Sequence, residues 1–144
     1  MGVGPDPGLI IMRVMTWNVH GANKESQVWR LLLEFRPDIV LLQEVQGIPE
    51  EISEEMAILS RVAIYKTGRP QRFSTAVLVD GKIIEEIKLK SEYDWVNDEL
   101  SFFHGNFIAC KVVLQNNERL NVVSVYSPAW PVNEERLKGI DVSA

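Results

Sequence analysis

Residues 9–17 read Leu-Ile-Ile-Met-Arg-Val-Met-Thr-Trp, and residues 39–42 read Ile-Val-Leu-Leu. Short, mostly apolar runs of this kind are typical of buried strands. Between the two runs, apolar residues recur at the i, i+3, i+4 and i+7 spacing of one helix face: Val28, Leu31, Leu32 and Phe35. Pro37 then prevents the helix from continuing. The order strand, helix, strand predicts a βαβ unit whose two strands run parallel.

The rest of the chain predicts one more helix followed by a series of strands. The helix is expected from about 50 to 60, and three residues would form its apolar face: Ile52, Met56 and Leu59. After this helix, apolar residues recur at the shorter spacing of strands. Five segments are expected as strands: 63–66, 74–79, 82–90, 107–114 and 120–126. Hairpin turns are expected at Asp80-Gly81 and at Asn116-Asn117. These elements predict an α/β (α+β) fold, in which a mixed β-sheet carries helices on one face.

The overall composition is that of one globular domain. The chain has 144 residues, of which 46% are hydrophobic and 24% charged, so a disordered or collagen-like chain is excluded. Fifteen Lys and Arg against twenty Asp and Glu give a formal net charge of −5. A protein that wraps nucleic acid without sequence preference is normally basic, so this balance argues against that class. An enzyme that binds phosphate at one small site remains compatible with it.

The amino terminus and the cysteine content give expectations about organisation and location. Residues 1–8 contain three Gly and two Pro, so a flexible leader is expected before one domain at 9–144. Cys110 is the single cysteine, which excludes an internal disulfide and a multi-cysteine zinc site. A reducing, cytoplasmic location fits this content best. No apolar run approaches the roughly 20 residues that a membrane span needs.

Polar side chains come directly after both predicted parallel strands. Asn18 and His20 come after the first strand, and Glu44 comes after the second. Ligands in α/β folds bind beyond the carboxyl ends of neighbouring parallel strands, so Asn18 and Glu44 are expected at one rim of the sheet. Mg²⁺ often takes one or two carboxylates with a substrate phosphate, and an Asn amide can donate to phosphate without adding negative charge. Taken singly, each of these residues is as simply explained as a turn, loop or solvated strand-end residue.

Several segments occur together in a specific order and spacing. Residues 13–21 read Arg-Val-Met-Thr-Trp-Asn-Val-His-Gly, 29–33 read Trp-Arg-Leu-Leu-Leu, and 36–45 read Arg-Pro-Asp-Ile-Val-Leu-Leu-Gln-Glu-Val. Downstream, 121–128 read Asn-Val-Val-Ser-Val-Tyr-Ser-Pro. This pattern resembles the amino-terminal half of the endonuclease/exonuclease/phosphatase superfamily. Its members include abasic-site endonucleases, pancreatic-type deoxyribonucleases, neutral sphingomyelinases and inositol polyphosphate phosphatases.

The resemblance implies both a fold and an activity. The fold would be a four-layer αββα sandwich, of which this chain forms half. The activity would be that of a phosphoesterase, nuclease-like or phosphatase-like, that depends on Mg²⁺ or Mn²⁺ and hydrolyses a phosphodiester or a phosphomonoester. Glu44 would hold the metal, Asn18 would position the phosphate or the nucleophile, and Tyr126 would contact the phosphate. His20 stands where some relatives carry Asp, which implies a weaker role, and Tyr126 could equally be an ordinary aromatic residue at a strand end.

Two later motifs of the superfamily are absent from the sequence: Gly-Asp-x-Asn and Asp-His. The resemblance implies that the first orients or deprotonates the attacking water and that the second stabilises the phosphorus centre. An alternative is therefore a catalytically incomplete half-domain that serves as a binding or assembly module, or a truncated gene product. Because no second sheet is expected, one sheet face would stay open, and a homodimer or a missing carboxyl-terminal half is expected to cover it. The expected partner is a phosphate-ester substrate, with nucleic acid among the candidates.

Overall fold

A computed structural model describes residues 11–127 together with residues 135, 138 and 139. Within 11–127 the chain forms seven strands and three helices. The strands are β1 (Val14–Ala22), β2 (Ile39–Val45), β3 (Ala57–Ile64), β4 (Pro70–Val79), β5 (Gly81–Glu86), β6 (Phe107–Leu114) and β7 (Arg119–Val125). The helices are α1 (Val28–Phe35), α2 (Glu50–Glu55) and α3 (Asp94–Phe102). The leader expected at 1–8 lies outside the described residues.

The first sheet has the strand order β1-β2-β4-β3. β1 and β2 are parallel and joined through α1, as the βαβ pattern predicts, whereas β4 runs antiparallel to β2 and β3. Buried side chains of α1, α2 and the sheet form one core cluster, which includes Trp29, Leu32, Ile52, Leu42 and Leu78. The prediction of an α/β fold, with a mixed sheet that carries helices on one face, is therefore confirmed.

A second, antiparallel sheet has the order β5-β6-β7 and packs against the other face of the first. A cluster of buried apolar side chains from both sheets lies between them: Ile39, Val77, Val79, Ile108, Cys110 and Val112. The expectation that no second sheet is encoded is therefore wrong, because the later strands pair separately and turn onto the face that was expected to stay open. The expected homodimer rested on that open face and loses its main support.

The predicted boundaries are wrong between 56 and 66: a strand replaces the end of the helix predicted to 60, and the strand predicted at 63–66 begins earlier and ends at Ile64. α2 ends at Glu55, Met56 already has an extended backbone (φ −132°, ψ 145°), and β3 comes next. Ile58 packs into the helix-side cluster and Leu59 into the cluster between the sheets. A strand that carries apolar residues on both faces has no period of two, so its sequence resembles a continued helix face.

The two predicted turns have different outcomes. Asn116-Asn117 joins β6 to β7 in an antiparallel hairpin, as predicted, with Asn117 in the left-handed region (φ 67°). Asp80-Gly81 joins strands of two different sheets, so the hairpin predicted there is wrong. β5 also ends at Glu86 instead of continuing to 90, and α3, which buries no residue, had no sequence signal. None of the helices within 11–127 has the length and apolar character to cross a lipid bilayer.

Candidate active site

The predicted residues at the ends of β1 and β2 come together through two local irregularities. Asn18 pairs in register with Gln43, and the β1–β2 register then shifts before Ala22. The β2–β4 register shifts at the same level, between Leu42 and Val45. Glu44 lies inside that shift. Bulges of this kind redirect side chains and are common beside active sites.

His20 and Glu44 both adopt the left-handed backbone region, with φ of 51° and 58°. This conformation is unfavourable for residues that carry a Cβ, by about 1–2 kcal/mol each. The following residue, Gly21, is also left-handed (φ 82°), and a Cβ there would lie 3.3 Å from Gln46 Nε2 and 3.4 Å from Phe73. This backbone strain accompanies the orientation of the His20 and Glu44 side chains towards the same rim of the sheet.

The carboxylate of Glu44 is the centre of the contacts at this rim. Its side chain is 19% exposed. The Tyr126 hydroxyl donates a hydrogen bond to Glu44 Oε1 at 2.9 Å, across 82 residues of sequence. His20 Nδ1 lies 3.7 Å from Glu44 Oε2, although the His20 side chain is 96% exposed. The structure therefore places one carboxylate, one phenol and one imidazole in contact.

Asn18 is tied to the same rim through a local hydrogen bond. Its Oδ1 accepts from the backbone N–H of His20 at 3.0 Å. Both residues were expected after the first strand, but β1 continues to Ala22, so this hydrogen bond lies within the irregular part of β1. The Asn18 amide nitrogen makes no hydrogen bond to the part of the chain that the structure describes, and the residue is exposed. The amide is therefore free to donate to a bound anion. The structure brings together all four predicted site residues, and their chemical roles stay predictions.

The surroundings of Tyr126 keep its hydroxyl protonated. The pKa of Tyr126 is raised to about 12, first by burial and then by the hydrogen bond to Glu44, the charge of Glu44 and the nearby Tyr65. A phenol with this pKa donates a proton in a hydrogen bond throughout the physiological range. It can therefore stabilise a negative oxygen, and it is a poor base.

Asn106, at the start of β6, holds Tyr126 in place. Its side chain is fully buried, Oδ1 accepts from Ile64 N–H at 2.7 Å, and Nδ2 donates to Tyr126 C=O at 3.3 Å. The Tyr126 N–H in turn donates to Asn106 C=O at 2.8 Å. The sequence analysis missed this residue because its partners lie 42 and 20 positions away.

The oxygen-bearing side chains at this rim suit a hard divalent cation that takes its remaining ligands from water and substrate phosphate. Glu44 supplies the carboxylate, and Asn18 places a neutral amide at the same rim. No group of three or more His, Cys, Asp or Glu that could hold a metal occurs within the described residues. Mg²⁺ commonly takes one or two carboxylates and completes its shell with water and substrate phosphate, so the residues present fit that ion.

The sequence profile of the Endonuclease/Exonuclease/phosphatase family matches residues 15–136. The chain belongs to this family. The match includes Asn18 on β1, Glu44 on β2 and Tyr126, which follows β7. A comparison with curated protein sequences found no match.

Membership in the endonuclease/exonuclease/phosphatase family gives the chemistry in general terms. Proteins of the family are generally divalent-metal-dependent phosphoesterases that act on phosphate-ester substrates. A site with one carboxylate, an amide donor and a protonated phenol at one rim is compatible with that chemistry. The family includes hydrolases of nuclease and phosphatase type, so membership alone does not select a substrate.

Proposed function

We propose that this chain contributes a Mg²⁺-dependent site, with Mn²⁺ as a substitute, for the hydrolysis of a phosphodiester or phosphomonoester. The observation that carries the proposal is the contact of Glu44 with Tyr126 at 2.9 Å, on the rim where Asn18 also lies. This contact joins the ends of two strands from different sheets. It gives a single place where phosphate and a cation could be bound together.

Each residue has a role that its contacts support. Glu44 would hold the cation, which when bound polarises the phosphate and stabilises the leaving oxygen. The Asn18 amide would donate to a phosphate oxygen. The Tyr126 hydroxyl can rotate from Glu44 Oε1 towards a phosphate oxygen, and its raised pKa keeps the proton on it. His20 is so exposed that it would act only at the edge of the bound substrate.

A second function is favoured by a specific observation. The 144 residues contain neither Gly-Asp-x-Asn nor Asp-His, the motifs that the superfamily uses to activate water and to stabilise the phosphorus centre. A chain with the phosphate-binding rim and without these groups would act as a binding or assembly module. The two functions differ in whether this chain, by itself, turns over a phosphate ester.

To test this proposal, the purified protein is assayed for hydrolysis of three substrates: bis(p-nitrophenyl) phosphate, p-nitrophenyl phosphate and a labelled oligonucleotide. Each is assayed with Mg²⁺, with Mn²⁺ and with EDTA. Glu44→Gln should lower metal-dependent turnover by more than the ~10–100-fold that loss of an outer-shell partner typically costs, because it removes the charge that the cation needs. Manganese binding, followed by electron paramagnetic resonance, should be weak in the wild type and weaker still in the variant.

The matched control is Glu118→Gln, a half-buried glutamate in the β6–β7 turn at the other end of the second sheet. It should keep wild-type turnover and Mn²⁺ binding. Equal activity of the two variants would contradict the assignment of Glu44. No metal-dependent turnover by the wild type on any of the three substrates would instead favour the binding or assembly module.

Location and assembly belong to the same proposal. The free thiol of Cys110 is buried between the sheets, which fits a reducing, cytoplasmic compartment. Among the described strands, β1 is an edge strand of the first sheet, and Val14 on it is 54% exposed. A second copy of the chain, or a further carboxyl-terminal half, would cover this edge, and light scattering at micromolar concentration distinguishes a homodimer from a monomer.

A further inference from the structure

The turn between β3 and β4, together with the start of β4, carries cations that lack a carboxylate partner in the described structure. Residues 61–79 contain four of the 15 basic residues of the chain and none of its 20 acidic residues. Arg61 is ion-paired. Lys66, Arg69 and Arg72 are exposed and form no ion pair with a carboxylate of residues 11–127. This region is therefore a local concentration of positive charge in a chain whose net charge is −5.

This turn is closed by backbone hydrogen bonds, so its cations are held in a defined place. Gly68 N–H donates to Tyr65 C=O at 2.8 Å, and Tyr65 N–H donates to Arg69 C=O at 2.7 Å. Gly68 has φ of 83°, in the region that glycine adopts without steric cost. A closed turn of this kind fixes the backbone positions from which Lys66 and Arg69 project.

The turn lies next to the candidate site. Tyr65 is close enough to Tyr126 to contribute to the raised pKa of that phenol. On β4, Ser74 pairs with Val45, the residue after Glu44. Arg72 precedes Ser74 by two residues, which is roughly 7 Å along an extended strand. A phosphate bound at Glu44 would therefore have further cations within the reach of neighbouring groups on the same ligand.

Aromatic side chains accompany these cations. Tyr65 is 43% exposed at the start of the turn. The Arg72 guanidinium carbon lies 5.3 Å from the centroid of the Phe73 ring. Cations along a phosphate backbone, together with an exposed ring on which an unpaired base can stack, are the two components of single-strand binding sites.

We propose that the β3–β4 turn binds a short stretch of single-stranded nucleic acid, with Lys66, Arg69 and Arg72 on its phosphates and Tyr65 against a base. This inference rests on the proposed function, because the bound strand would present a phosphodiester to Glu44. A contact of a few nucleotides agrees with the acidic charge of the rest of the chain, which disfavours a long footprint.

The experiment measures binding of a fluorescein-labelled single-stranded DNA 12-mer by anisotropy in EDTA, so that hydrolysis plays no part. Arg69→Gln/Arg72→Gln should weaken binding by ~10-fold or more, and should lower the slope of log K against log salt by about 1.4, or 0.7 for each lost phosphate contact. Tyr65→Ser should weaken binding by ~10-fold, whereas Tyr65→Phe, which keeps the ring, should not. Circular dichroism checks that each variant is folded.

The matched control is Arg30→Gln/Arg119→Gln, which removes two exposed arginines from α1 and β7. It should bind within twofold of the wild type. The proposal is overturned if both double variants bind equally, if the wild type binds no oligonucleotide, if it prefers a duplex of the same sequence, or if it binds phosphoinositide vesicles and not DNA. If the wild type binds the 12-mer through this turn but shows no metal-dependent turnover of any of the three substrates, the proposed function alone is overturned.

Discussion

At the scale of single residues, the hydrogen bond between Tyr126 and Glu44 makes a prediction about titration. Burial is the largest cause of the raised Tyr126 pKa of about 12, and the Glu44 carboxylate is the next. In Glu44→Gln the pKa should fall, because a neutral amide neither carries charge nor accepts as strongly, and it should stay above the ordinary value of about 10 because the burial remains. Absorbance titration near 295 nm, with Tyr126→Phe subtracted to isolate this phenol, measures both values.

The same pKa affects stability at high pH. Between the unfolded pKa of about 10 and the folded pKa of about 12, the unfolded chain has lost a proton that the folded chain still holds. Unfolding is therefore favoured as pH rises through this window, and the contribution is fully present below pH 10. Urea denaturation at pH 9 and pH 11 should show a smaller loss of stability in Tyr126→Phe than in the wild type. Parallel losses in both proteins would contradict the shifted pKa.

His20 offers a test of backbone strain at the site. Its left-handed φ of 51° is unfavourable for histidine, its side chain is 96% exposed, and its hydrogen bond to Asn18 uses the backbone N–H. His20→Gly should therefore raise the free energy of unfolding by about 0.5–1 kcal/mol, since glycine adopts this conformation freely and the contact of the exposed imidazole with Glu44 contributes little. Thr67→Gly, at an exposed turn residue without positive φ, is the control and should be neutral or destabilising. A loss of stability in His20→Gly would show that the contact with Glu44 outweighs the strain.

At the scale of elements, Asn106 joins the end of β3 to the end of β7. Asn106→Ala would leave the Ile64 N–H buried without an acceptor, so a loss of about 1–3 kcal/mol is expected. Asn97→Ala is the control, because Asn97 bridges the Ser91 backbone in the same way at a distance from the site. If Asn106 positions Tyr126, its alanine variant should also lower the Tyr126 pKa at temperatures where the protein is folded, and Asn97→Ala should not. Unchanged titration in both variants would leave Asn106 with a purely structural role.

The βαβ unit could be predicted from the sequence more completely than the strands after it. Local signals were strong for α1 and for the parallel pair, because an amphipathic face, a proline and two apolar runs agree. The first half of β3 was predicted as helix because its apolar residues pack on both sides of the sheet. Glu44 and Asn18 could be placed at one rim by strand direction alone, whereas the contact with Tyr126 depends on how two sheets stack. Long-range contacts of that kind, like those of Asn106, leave no local pattern.

At the scale of the whole molecule, the two sheets depend on one shared core. Val112 on β6 is 1% exposed between them, and Val123 on the neighbouring β7 is 46% exposed on the outer face. Val112→Ala should lower the free energy of unfolding by about 2–3 kcal/mol, from the lost burial of two methyl groups and the cavity that remains. Val123→Ala makes the same chemical change and should stay within about 0.5 kcal/mol of the wild type. Urea denaturation followed by tryptophan fluorescence measures both. Because the stacking also brings Tyr126 to Glu44, Val112→Ala should weaken Mn²⁺ binding under conditions that partly unfold the second sheet. Equal effects of the two substitutions would mean that β5-β6-β7 does not cover the first sheet in solution.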